Sequence, residues 1–427
     1  MFFGEFTRDY LREIRLDSQG RVFKINNTLN CGALPTQGLL FECDNPMDMQ
    51  FGADGNLYLL TYGDGFFVAN PDAGMYRFEY VAGEQKPRAV LNATPTNGVA
   101  PLEVHFSSDG SRDPDPDDSI SFAWDFDSDG TVDSMDPNPV HTYTTNGVYT
   151  ARLTVTDAAG NTDGKTIQIV VGNTAPTVTI QTPVDGNFFD WGHGIPYTVT
   201  VTDPQDGAID CNRVTVTFVL VHDQHGHGEA SQTGCTGVLP TSADDAGHGG
   251  YLAGGINVSY TDLGAPGGLP ALTTDAQHVV QLRRQHVEFV QAAAGIQFST
   301  IQAPETDPLG GQQSANQLDP GDWLLLNNRY SFDDMDKQIT FRFANNQTAG
   351  TLRGLVDVRL DAVDGPSIAT CELRSTGGNG TYTNQTCPFT GAVTGPHRIY
   401  LVFSQAPGGP ASGFGLLNWV EFSGAGI

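Results

Sequence analysis

Apolar residues recur at every second position through much of this chain. Leu102, Val104 and Phe106 alternate with Glu103 and His105, and Tyr149, Ala151, Leu153 and Val155 alternate with Thr and Arg. Ile167, Ile169 and Val171 follow the same beat, as do Tyr197, Val199 and Val201, then Val214, Val216, Phe218 and Leu220, then Ile256, Val258 and Tyr260. The final third repeats it in Ile339, Phe341 and Phe343, in Val356, Val358 and Leu360, and in Ile399, Leu401 and Phe403. A period of two puts successive side chains on opposite faces, so these runs predict half-buried strands and not helices. Turn residues separate the runs, which predicts antiparallel sheets packed face to face. The fold class expected is all-β.

Composition sharpens that picture. Gly 51 and Pro 25 make up more than a sixth of 427 residues, as many short strands joined by turns require. The length exceeds one ordinary core and predicts several domains. The formal net charge is −28, a field that repels phosphate backbones and anionic lipid. Nucleic acid and membrane insertion are therefore not expected; neutral ligands such as sugars, and cations held by carboxylates, are. The six cysteines pair by proximity as Cys31 with Cys43, Cys211 with Cys235 and Cys371 with Cys387, a pattern of disulfides and an oxidising compartment. The opening Met1-Phe-Phe-Gly-Glu has neither a basic start nor a sustained apolar run. Export without a leader predicts a piece of a longer secreted protein.

Several stretches carry family resemblances. In residues 1–84, NPMDMQFGADGNLYLLTYGDGFF and LREIRLDSQGRVFKI each read as strand, Asp/Gly turn, strand. They resemble the last blades of soluble pyrroloquinoline-quinone (PQQ)-dependent sugar dehydrogenases, which implies a partial β-propeller. Residues 87–172 hold APLEVHFSSDGSRDPD, AWDFDSDG and HTYTTNGVYTARLTVTD, and resemble the PKD domain, an immunoglobulin-like sandwich. Residues 173–280 restart with NTAPTVTI and predict a second immunoglobulin-like β-sandwich. Residues 285–427 carry LDPGDWLLL, ITFRFA, GPHRIYLVF and LLNWVEF in order, and resemble carbohydrate-binding module family 6, a β-jelly roll.

Three sets of residues could carry chemistry. Asp125, Asp127, Asp129, Gly130 and Asp133 reproduce the start of a calcium loop, alternating carboxylates around a glycine-permitted turn. The PKD resemblance offers a purely structural reading of the same residues, with Trp124 and Phe126 packing and Asp-Gly turning the chain. His222, His225 and His227 could hold zinc, copper or nickel. His222 is in phase with the inward face of its strand, whereas His225 and His227 read as a glycine-rich loop beyond it. The third set rests on the module resemblance. It implies a sugar cleft at the loop end of the jelly roll whose two aromatics fall at Gln317 and Tyr382 and whose asparagine falls at Leu416; only Tyr382 keeps its type. Some members use a sheet face instead. The same resemblance implies a structural calcium at Glu288 and Glu421, and Trp323 and Trp419 read as core.

GxSxG, a P-loop and a dinucleotide fingerprint are absent from the sequence. The function expected is thus non-catalytic carbohydrate binding by a secreted or cell-surface bacterial protein. It would target an attached sugar-active module to a neutral polysaccharide, with the sandwiches as spacers and calcium as the cofactor. The alternatives are a truncated aldose dehydrogenase, in which PQQ would bind only the complete parent, and a protein-adhesion module.

Overall fold

The structure is a computed structural model; it describes residues 2–5, 10–16, 22–30, 46–53, 56–62, 73–78, 85–115, 119–222, 225–243, 251–301, 312–326, 330–333 and 336–423. Among these residues every regular element is a strand apart from two short 3₁₀ turns, Cys211–Arg213 and Val287–Phe289. The all-β expectation holds. The chain divides into two compact units, Met1–Thr177 with Val201–Ile209 and Tyr260–Asp275, and Val178–Thr200 with Asp210–Ser259 and Ala276–Ile427.

The first unit opens with two three-stranded antiparallel sheets. One joins Phe2–Glu5, Tyr10–Leu16 and Val22–Asn30; the other joins Pro46–Phe51, Leu57–Thr61 and Gly74–Phe78. In the second, Leu59 and Thr61 are buried on one face. The next segment places Leu102–Ser107 between Val140–Tyr143 and Asn92–Thr94, and pairs Gly147–Thr156 with Ser121–Asp125 and Thr162–Val171. The alternation does the work here. Leu102, Val104 and Phe106 from one sheet meet Trp124, Ala151, Leu153, Val155 and Ile169 from the other in a single core. Phe106 and Trp124 lie 5.4 Å apart, centroid to centroid. The indole Nε1 donates to the Asp136 carbonyl at 2.8 Å, so the ring's polar edge is satisfied where its body is buried.

The second unit holds most of a five-stranded sheet in the order Phe188–Phe189, Thr273–Leu282, Leu252–Thr261, Thr215–His222, His225–Thr233. The Cys211–Cys235 disulfide ties the start of Thr215–His222 to the end of His225–Thr233. Beyond it stands the jelly roll. One of its sheets runs Gln297–Thr300, Gln313–Asn316, Leu416–Ser423, Gln338–Asn345, Gly378–Pro388, with Arg284–His286 beside Leu416–Ser423. The other runs Ala292–Ala294, Trp323–Leu325, Ile399–Ser404, Leu352–Leu360, Ser367–Arg374. Phe341, Phe343 and Phe422 from the first sheet meet Val356, Val358, Leu401 and Phe403 from the second.

That core contains a residue from outside the jelly roll. Phe188, fully buried, packs 5.7 Å from Tyr330, 5.4 Å from Phe332 and 5.2 Å from Phe422. Arg283, itself buried, lies over the Phe188 ring at 5.3 Å and pairs with Asp336 at 3.1 Å and Asp190 at 3.2 Å. The segment read as a separate sandwich thus contributes to the jelly-roll core, within one unit.

Candidate functional site

The strand Leu352–Leu360 shows how the jelly roll builds an outward face. Val356, Val358 and Leu360 point into the core, so Leu355, Asp357 and Arg359 point away from it. Cross-strand register then fixes the neighbours. Trp323 stands opposite Val402, Val402 opposite Asp357, and Asp357 opposite Thr370. One step along, Leu325 stands opposite Tyr400 and Tyr400 opposite Arg359. Directly opposed residues share a face, so an aromatic pair and a charged pair lie side by side on this sheet.

Trp323 and Tyr400 are both half-buried, with ring centroids 5.7 Å apart and planes tilted by 59°. Trp323 was expected in the core, but Leu324 takes the inward position and Trp323 faces out. Asp357 accepts from Thr370 Oγ1 at 2.5 Å and from Arg359 at 3.1 Å. Arg359 also donates to the Gly365 carbonyl at 3.1 Å. The carboxylate and guanidinium are therefore held in place beside the rings. Aromatic rings offer stacking to apolar C–H faces, and fixed polar groups offer hydrogen bonds, so this surface can meet a ligand that carries both.

The cleft positions at the loop end are arranged differently. Tyr382 is only 5% exposed, and its hydroxyl is 2.6 Å from Ser314 Oγ in a buried hydrogen bond. Gln317 is exposed with φ 53°, and Leu416 is half-buried opposite Ala344. These three positions present no exposed aromatic ring. Trp419 is buried, as expected, but outside the main core: two residues, Asn418 and Trp419, bulge opposite Arg342, and Arg284 stacks on the indole at 4.2 Å.

The acidic loop closes on itself. Ligand oxygens of Asp125, Asp127 and Asp133 lie within 4.8 Å of one another, the arrangement a cation would use. Asp129 is not in that group; its Oδ1 accepts from the Thr131 amide at 2.6 Å. Asp125 accepts from the amides of Asp129 and Gly130, Asp127 from that of Asp129, and Asp133 from that of Phe126. Gly130 turns the chain at φ 91°, a conformation glycine adopts without strain. Burial pushes the neighbouring His141 imidazole below its usual range, against the pull of Asp133 and Asp127. Glu288 and Glu421 serve different partners. Glu288 accepts from the Gln312 amide at 3.0 Å and from the Gln313 amide, and burial raises its carboxyl above the usual range against those two bonds. Glu421 is held by Arg284 at 2.9 Å.

The histidine stretch is not a loop. His225–Thr233 is a strand paired with Thr215–His222, with His222 opposite His225 and Leu220 opposite His227. Backbone pairing supplies the order that the glycines withhold. His222 is 8% exposed, at the end of the inward face, and His227 is exposed. Their Nε2 atoms lie 3.0 Å apart, with ring planes at 17°. Two of the three expected disulfides are present, Cys211–Cys235 and Cys371–Cys387. Cys31 and Cys43 lie outside the described residues.

Comparison with known proteins agrees with this anatomy. Residues 84–171 match the PKD domain model, and residues 288–424 match the carbohydrate-binding module (family 6) model. The chain is 29% identical over 157 residues to collagenase ColQ1 of Bacillus cereus (strain Q1), which covers 33% of this chain and 16% of that protein. It is 34% identical over 92 residues to the arabinoxylan arabinofuranohydrolase of Bacillus subtilis (strain 168), covering 22% of this chain and 17% of that protein. The chain thus spans about a sixth of the length of these curated relatives. Among solved structures, a family 6 carbohydrate-binding module from Clostridium cellulolyticum in complex with xylose is 31% identical, covers 33% of this chain and 95% of its own, and gives a TM-score of 0.28. A β-1,3-glucan binding family 6 module from Bacillus halodurans is 25% identical over 33% of this chain and 93% of its own, with a TM-score of 0.27.

Proposed function

We propose that this chain binds a neutral polysaccharide without turning it over, and that the outward sheet face bearing Trp323 and Tyr400 is the gripping surface. The observation that carries the reading is the register that sets this aromatic pair beside Asp357 and Arg359, in a segment matching a carbohydrate-binding module. Neither of the positions expected to supply contacts at the loop end, Tyr382 and Gln317, presents an exposed ring. The sheet face is therefore the better candidate.

In this reading the protein is exported, as its disulfides suit, and the module raises the local concentration of an attached sugar-active unit at its substrate. Calcium at Asp125, Asp127 and Asp133 would stiffen the PKD turn. Affinity electrophoresis of the full chain through gels containing soluble β-glucan or xylan tests the proposal. Retardation by a neutral glycan is the expected result; migration unaltered by every plant and fungal glycan removes it.

A further inference from the structure

Between the two segments that match family models lies a sheet whose histidines neither match accounts for. Its strand Thr215–His222 pairs on one side with Leu252–Thr261 and on the other with His225–Thr233. Directly opposed residues share a face, and so do residues two apart along a strand. Leu220 stands opposite His227, so His222, two residues beyond Leu220, has His227 as a diagonal neighbour on the same face. Pairing on both sides fixes the backbone beneath His222, and the Cys211–Cys235 disulfide ties the far ends of the two strands together.

The two rings meet where the buried face of the strand opens to solvent: Leu220 and His222 are buried, His227 is exposed. Their Nε2 atoms are 3.0 Å apart, the ring centroids 5.1 Å apart and the planes only 17° from parallel, so the rings meet nitrogen to nitrogen and not face to face. Two imidazoles on one ion, each at about 2.0–2.1 Å, hold their nitrogens about 2.9 Å apart at a right angle and about 3.4 Å apart at the tetrahedral angle. The pair already has that spacing. In the metal-free neutral pair one Nε2–H bridges to the lone pair of the other Nε2; the tautomer that carries this proton on Nδ1 frees both lone pairs for an ion. The side chain of His225 lies outside the described residues, and the two-imidazole site does not depend on it.

Neutral imidazole suits copper, nickel and zinc, whereas calcium takes oxygen donors, and affinity at a nitrogen site peaks at copper(II). The net charge of −28 draws cations toward the chain, and among the described residues no free thiol competes for such an ion. We propose that His222 and His227 form a two-imidazole site for a divalent transition-metal ion, copper(II) before zinc, with solvent completing the coordination sphere. The exposed ring of His227 gives the ion its way in, and the buried ring of His222 gives it a fixed anchor. The site shares no residue with the Trp323–Tyr400 face, so it stands or falls independently of the carbohydrate reading.

The test is titration of the untagged, chelator-treated full chain with copper(II) and with zinc, in buffer containing excess calcium to occupy carboxylate groups. Calorimetry reads affinity, and electron paramagnetic resonance reads the nitrogens bound to copper. One copper(II) per chain with two imidazole nitrogens is expected, bound more tightly than zinc. His227→Ala alters an exposed side chain, so its fold should be unchanged by circular dichroism; it should weaken copper binding about 10- to 100-fold and leave one nitrogen in the signal. His222→Gln should act in the same direction. Absence of copper binding in the unaltered chain overturns the site and leaves the rings as a hydrogen-bonded pair. Copper bound with the same affinity and the same two-nitrogen signal in both variants overturns it as well, because the ligands then lie elsewhere in the chain.

Discussion

Replacing Phe188 by Ala should cost the second unit several kcal/mol, although the residue belongs to a segment read in sequence as a different domain. Its side chain is fully buried against Tyr330, Phe332 and Phe422, with Arg283 across its face. A buried Phe removes about 150–250 Å² from water, which at about 25 cal/mol per Å² sets an upper bound of about 4–6 kcal/mol. Alanine keeps part of that burial, whereas the cavity left behind adds to the loss, so the expected cost is about 3–5 kcal/mol. Urea unfolding followed by fluorescence measures it, as a lower midpoint at unchanged slope. A fragment of residues 285–427 lacks Phe188 and should be destabilised by a similar amount. A loss below about 1 kcal/mol in the variant, with the fragment as stable as the full chain, would refute the shared core.

Two further outcomes are expected. Asp157 is desolvated, which raises its carboxyl, but bonds from the Asn161 side chain and from the amides of Asn161, Gly160 and Ala159 outweigh this and hold it below the usual carboxylate range. A depressed folded value gives stability that is complete above the unfolded Asp value and is lost as pH falls through the folded one. The PKD segment should therefore lose stability on acidification below about pH 4, and Asp157→Asn should lose less over that window; thermal melts against pH check this, and identical acid sensitivity in both proteins would contradict it. Calcium, if Asp125, Asp127 and Asp133 hold it, should raise the melting temperature of chelator-treated protein, and Asp127→Asn should blunt the rise. No calcium-dependent shift would leave the loop as a self-bonded turn.

The sequence reveals the strands wherever one face is buried and the other wet. Leu102, Val104 and Phe106 alternate cleanly because Glu103 and His105 are exposed. Trp323 was misplaced for the opposite reason: in Trp-Leu-Leu-Leu both faces are apolar, Leu325 being 6% exposed on the outward side, so period two leaves no trace. His225–Thr233 was missed as a strand because HGHGEASQT has almost no apolar residues; its order comes from pairing along Thr215–His222. The sharing of Phe188 is illegible for another reason. A two-residue strand has no pattern, and its aromatic partners Tyr330, Phe332 and Phe422 lie more than 140 residues downstream.

The sugar site divides the same way. The module's motifs were readable, and at Gln317 and Leu416 the sequence departs from the residue types that the family resemblance implies for the cleft. The Tyr382 hydroxyl bond to Ser314 and the meeting of Trp323 with Tyr400 depend on register between strands far apart in sequence, which a single sequence does not specify.

The most direct test of the account is calorimetric titration of the full chain and its Trp323→Ala variant with the neutral glycan that retards the protein in gels. Loss of the indole platform should weaken binding about 10- to 100-fold, an apolar contact worth about 1.5–3 kcal/mol, with the fold intact by circular dichroism. Undiminished affinity in Trp323→Ala, and abolished affinity in Tyr382→Phe or Gln317→Ala instead, would place the sugar at the loop end and contradict the sheet-face site.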